Sequence, residues 1–99
     1  MNLDEFRSSV QNANPPAGLG FALAGLWWDA KGDWMKAHES ARQDEGPDGS
    51  WVHAYLHRKE GDVGNAAYWY RQAGKSAYRG SLEAEWEEIA KELLGRSEH

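Results

Sequence analysis

Asp29-Ala30-Lys31-Gly32-Asp33-Trp34-Met35-Lys36-Ala37 returns, altered but recognisable, as Arg58-Lys59-Glu60-Gly61-Asp62-Val63-Gly64-Asn65-Ala66, and Arg42-Gln43 returns as Arg71-Gln72. Every match sits at the same offset of 29 residues. A constant offset marks stacked supersecondary units rather than scattered similarity. Each copy also carries its own turn chemistry, since Gly takes the positive φ that closes a helix and Asp caps the helix that follows. The stretch therefore predicts two helical hairpins joined in series.

The neighbouring segments extend the pattern. After Asp33, a helix presents Trp34, Ala37, His38 and Ala41 on one stripe and stops at Gly46-Pro47. A fourth helix is expected from about Ser50 to Glu60, and a fifth after Asp62, with Ala66, Trp69, Tyr70 and Ala73 on one side and Gly74 as its C-cap. Upstream, a helix starts after Pro15-Pro16 and runs through Leu19, Leu23, Leu26 and Trp27 to Gly32. A short first helix carries Leu3, Phe6 and Val10, with Asn2 and Glu5 spaced as a capping box. Downstream, Ser81 opens a helix with Leu82, Trp86, Ile89, Ala90 and Leu93 at helical spacing. The expectation is an all-α chain forming one domain over 1–99, with hairpins at 17–45 and 49–74 and a capping helix at 81–95.

Composition narrows the function. Six Trp, four Tyr and two Phe among 99 residues give a small core many large side chains. The absence of cysteine removes disulfides and thiolate chemistry, and a reducing, cytoplasmic setting is expected. A net charge of −5 repels phosphate backbones and anionic lipid, so neither nucleic acid nor membrane is an expected partner. Acids at Asp4 and Glu5 do not suit a signal peptide, and the longest apolar run, Leu19 to Trp28, is half of the ~20 residues a membrane span needs.

Gly61-Asp62-Val63-Gly64-Asn65-Ala66, followed by Tyr70 and Ala73, resembles the second helix of a tetratricopeptide-type repeat, and the earlier copy keeps Gly25, Gly32 and Ala37. That resemblance implies a right-handed stack of antiparallel hairpins whose first helices line a peptide-binding groove. More narrowly, Trp51 to Asp62 and Tyr68 to Gly74 are similar to a family of short proteins sharing the signature WVHAYLHRKEGD…YWYR-x-AG, a family without an assigned activity.

Two functions follow from the fourth helix. The first is a protein-interaction module in which Trp51, Tyr55, Arg58 and Tyr68 anchor a protein or peptide, since Trp, Tyr and Arg dominate binding energy at interfaces. The alternative is a divalent metal site. His53, His57 and Glu60 stand at i, i+4 and i+7, a column that presents two imidazoles and a nearby carboxylate, with a further ligand from His38, Glu39, Asp44 or Glu45. No catalytic residues are assigned, and the oligomeric state is left open. The orientation of the fourth helix separates two arrangements. A helical wheel leaves His53 and His57 on the face opposite Trp51, Val52, Tyr55 and Leu56, in water. The repeat register instead points His53, Ala54 and His57 at the following helix and Trp51, Tyr55 and Arg58 at the inner groove, and burial of His57 distinguishes the two. Asp44 and Glu45, at the negative end of the third helix, break a local rule and predict a cationic partner, Arg42, Arg58 or Arg71.

Overall fold

A computed structural model describes residues 1–97, and among these it contains six helices and no strand. They are α1 (Leu3–Ser9), α2 (Phe21–Lys31), α3 (Trp34–Gln43), α4 (Pro47–Lys59), α5 (Val63–Ala73) and α6 (Leu82–Ser97). The chain is all-α. Among the described residues, no helix is long and apolar enough to cross a membrane.

The two Gly-Asp turns have the same geometry. Gly32 and Gly61 take φ of 91° and 86°, and the backbone N–H groups of Asp33 and Asp62 bond to the carbonyls of Trp28 and His57, both at 2.9 Å. Each Asp then accepts a hydrogen bond from the backbone N–H three residues on, at Lys36 and Asn65. These are the closing and capping roles that the repeated dipeptide implies.

The helices pair as α2 with α3 and α4 with α5, and α4 also packs on α2, α3 and α6. That central position explains why Gly49 to His57 are buried without a break. A helix buried all round must carry its polar side chains into contact with its neighbours. The small residues are needed where helices meet: a Cβ on Gly25 would lie 3.2 Å from the Ala37 carbonyl oxygen and 3.2 Å from Val52 Cγ1. Gly25→Val is therefore expected to destabilise by ~1–3 kcal/mol through overpacking. An unchanged urea midpoint would contradict that close approach.

Two boundaries differ from the sequence reading. The second helix begins at Phe21, with Gly20 as N-cap, because Gly18 adopts φ +87°, outside any right-handed helix, so residues 10–20 form an irregular connection. The fourth helix begins at Pro47, with Gly46 as N-cap and the proline in the first turn, where its missing N–H costs nothing. That start also accounts for Asp44, one of the two acids at the end of α3. Asp44 Oδ1 accepts the Gly46 N–H at 2.9 Å, so this carboxylate builds the α3–α4 turn without any arginine.

α6 extends to Ser97 and closes the bundle on one side of α4 and α2, while α1 lies against α6 and α2. Asn2 and Glu5 form both bonds of the capping box, and Phe6 is fully buried, stacked on Trp86 at 5.7 Å.

Candidate metal centre

His57 is 6% exposed and His53 5% exposed, so both are buried as the repeat register expects and not in water as the helical wheel has them; His53 meets Trp69 of the following helix, whereas His57 packs on Trp34 and His38 of the preceding one. The two rings stack one turn apart, with centroids 4.9 Å apart and planes 21° from parallel. His38, on α3, meets both edge-on at 4.5 Å and 5.3 Å. Three imidazoles from two helices thus converge, with one ring nitrogen of each within 4.8 Å of the others.

Each ring is held. His38 stacks on Trp34 at 4.9 Å, and Trp34 is fixed by its own indole N–H, which donates to the Leu56 carbonyl at 3.1 Å. His53 lies between His57 and Trp69, whose ring stacks on it at 4.0 Å and 10°. His57 Nδ1 is 2.5 Å from Glu60 Oε1. The contact orients the ring, and a carboxylate at Nδ1 is the second-shell arrangement that would leave Nε2 as the ligand atom of a metal-bound imidazole.

His38 and His53 face each other through their Nε2 atoms at 2.8 Å, so one of the two carries a proton there. An ion bound by both requires that proton to move to Nδ1 of its ring. Tetrahedral coordination at ~2.0–2.1 Å separates ligand nitrogens by ~3.3 Å, so the His38–His53 pair needs only a small opening. The widest pair closes by ~1.5 Å at most, within reach of side-chain rotation. A cavity of about 210 Å³ lies beside His53, lined by Arg42, Ser50 and Trp69 among others.

Electrostatics suits ligation. Burial pushes the His53 pKa down to about 4, with the nearby His38 and His57 adding to the effect. His38 is lowered too, by burial first and then by His57. Both rings are therefore neutral at pH 7, the form that binds metal. A stability consequence follows from the sign of the shift. The unfolded chain takes up a proton on His53 below about 6.5 while the folded chain resists until about 4, so stability is complete above that window and falls with pH through it. The His53 contribution is ~3 kcal/mol, from ~1.4 kcal/mol per pKa unit. Urea midpoints measured across this range should fall with acidity, and His53→Gln should flatten the slope; an unaltered slope would contradict the burial argument.

The column expected from the sequence is thus rearranged. His38, alone among the four further candidates, joins His53 and His57, whereas Glu60 contacts His57 from outside. Glu39 is exposed and paired with Arg42, and Asp44 is used in its turn. The residues expected to anchor a partner lie elsewhere. Trp51 and Tyr55 are buried, and the Tyr55 hydroxyl donates to Asp29 Oδ2 at 2.7 Å. Arg58 is drawn to the buried Glu85 at 2.9 Å, which leaves Tyr68 as the exposed member of the four. The flanking roles of Trp34 and Trp69 were not evident from spacing, although Trp34 lies four residues before His38, on the same helix face.

Fold and site together define an all-helical hairpin protein with a cluster of three histidines, two of them buried and His38 partly exposed. No protein-family model, curated protein or solved structure matches the chain.

Proposed function

We propose that this protein binds one divalent first-row transition ion through His38, His53 and His57, with Glu60 orienting His57. The carrying observation is the convergence of three imidazoles from two helices, each ring already fixed by an aromatic face or a carboxylate. All-imidazole donor sets suit ions such as Zn²⁺ and Cu²⁺ far better than Mg²⁺ or Ca²⁺. Three protein ligands leave a fourth position for water or a small ligand, the pattern of reactive centres and not of closed structural ones. This reading stands ahead of a protein-interaction module because Trp51 and Tyr55 are spent on the core. It keeps the cytoplasmic location and the tetratricopeptide-like stacking expected from the sequence, the latter supported by the matched turns at Gly32 and Gly61.

Titration with Zn²⁺ tests the proposal, read by tryptophan fluorescence, because Trp34 and Trp69 touch the cluster. A saturable one-to-one change is expected, together with a rise in melting temperature that a chelator reverses. His38→Gln, which keeps a polar side chain on a partly exposed residue, should remove both effects. A response that survives His38→Gln unchanged, or none at millimolar Zn²⁺, would sink the reading.

A further inference from the structure

On the other side of α4, a cleft of about 460 Å³ opens between α1, α2, α4 and α6. Val10, Ala30, Leu82 and Trp86 give it apolar walls, and Asp29, Tyr55 and Lys59 form its polar side. Its size lies in the range of small-molecule sites, which are mostly apolar with a few converging polar groups.

The polar side is ordered, and its charge is directional. Asp29 is 5% exposed, and both carboxylate oxygens are taken: Oδ2 by the Tyr55 hydroxyl at 2.7 Å, Oδ1 by the Lys59 ammonium at 2.8 Å. Its charge is thus paired with Lys59, and both oxygens are engaged from α4. Lys59 uses one of its three N–H bonds on Asp29 and keeps the others available, with a side chain that is 41% exposed. Across the cleft, the Arg7 guanidinium lies over the Trp86 ring at 5.6 Å and touches Glu87 at 3.1 Å, an exposed pair of little strength. Two cations therefore face an open, largely apolar cleft in which Asp29 is paired with Lys59 and Glu83 stands at the exposed rim. Two cationic donors beside an indole and two aliphatic side chains match a ligand with one negative end and an apolar body.

We propose that this cleft is a second binding site, distinct from the histidine cluster, for a small amphipathic organic anion such as an aryl-alkyl carboxylate. The carboxylate lies between Lys59 and Arg7, and the apolar part lies along Trp86, Leu82 and Val10. Asp29 is a positioning residue: it holds Lys59 and Tyr55 without touching the ligand.

The probes are phenylbutyrate and its neutral counterpart phenylbutanol, titrated into the intact ¹⁵N-labelled protein. The readout is the indole N–H of Trp86, which is anchored on the Leu26 carbonyl at 3.0 Å and gives a distinct resonance. Phenylbutyrate should shift it saturably in the millimolar range or below, with phenylbutanol at least about tenfold weaker. Arg7→Met, an exposed change that preserves the apolar stem, should weaken phenylbutyrate and leave phenylbutanol unaffected. Lys59→Met should do the same, and more strongly. Because it also strips Asp29 of its partner, its spectrum is compared with Lys59→Arg, which should restore binding. Equal affinity for the acid and the alcohol, shifts indifferent to Arg7→Met, or no saturable shift at all would overturn the proposal. Zn²⁺ binding at the histidine cluster is measured separately, so failure at one site leaves the other untouched.

Discussion

Arg58→Ala is expected to remove about 3–5 kcal/mol of stability, the cost of leaving a buried charge without its partner. Glu85 is fully buried on α6 and receives Arg58 Nη1 at 2.9 Å and the Tyr70 hydroxyl. Arg58 also donates to the Gly80 carbonyl, so one guanidinium ties α4 to α6 and to the segment before it. Burial raises the Glu85 pKa despite the opposing pull of Tyr70 and Arg58. With the folded-state value above the unfolded one, the folded protein holds the proton longer, and stability declines as pH rises through the window between them. Loss of Arg58 widens that window, so the variant should be hurt more at mildly alkaline than at mildly acidic pH. Replacing both partners, Arg58→Met with Glu85→Met, should recover most of the loss, because no charge is then buried alone. Urea denaturation of the two variants at both pH values decides the matter; an Arg58→Ala protein of native stability would mean that the pair contributes nothing.

The other large effect concerns the histidines. Glu60→Gln is expected to weaken Zn²⁺ binding by about 10–100-fold, the usual loss when the carboxylate behind a metal-bound imidazole is removed. His53→Gln or His57→Gln should cost more than that, because a direct ligand is lost and only two imidazoles remain. Competition with a chromophoric chelator gives the affinities, and circular dichroism checks that each variant is folded. If Glu60→Gln and His57→Gln bind as tightly as the native protein, the ion is held elsewhere.

The repeated Gly-Asp dipeptide made the two hairpins legible, because a turn that needs positive φ and a cap declares itself in local residue types. The burial of His53 and His57 was legible by the same route. Ala54 matches Gly25 at the repeat offset, and this register turns His53 and His57 inwards where simple amphipathicity turns them out. His38 could be named only as one of several further ligands, since its approach depends on how α3 crosses α4 and not on spacing along either helix. The start of α2 was misplaced for a local reason: Pro15-Pro16 suits a helix start, but Gly18 at positive φ delays it to Phe21. Asp29 and Glu85 stayed hidden because their partners Lys59 and Arg58 lie 30 and 27 residues away, and a charge within an apolar stripe gives no sign of which cation will neutralise it. The same pairings moved Tyr55 and Arg58 from the expected surface into the framework.

In the proposed metal form one ion is shared by three rings. Anomalous diffraction from crystals grown with Zn²⁺, recorded on both sides of the zinc edge, tests this most directly. The predicted result is a single peak at ~2.0–2.1 Å from one nitrogen of each of His38, His53 and His57, with Glu60 still on His57 Nδ1. Zinc bound only at surface carboxylates, with His38 and His53 still in direct contact through their Nε2 atoms, would contradict it.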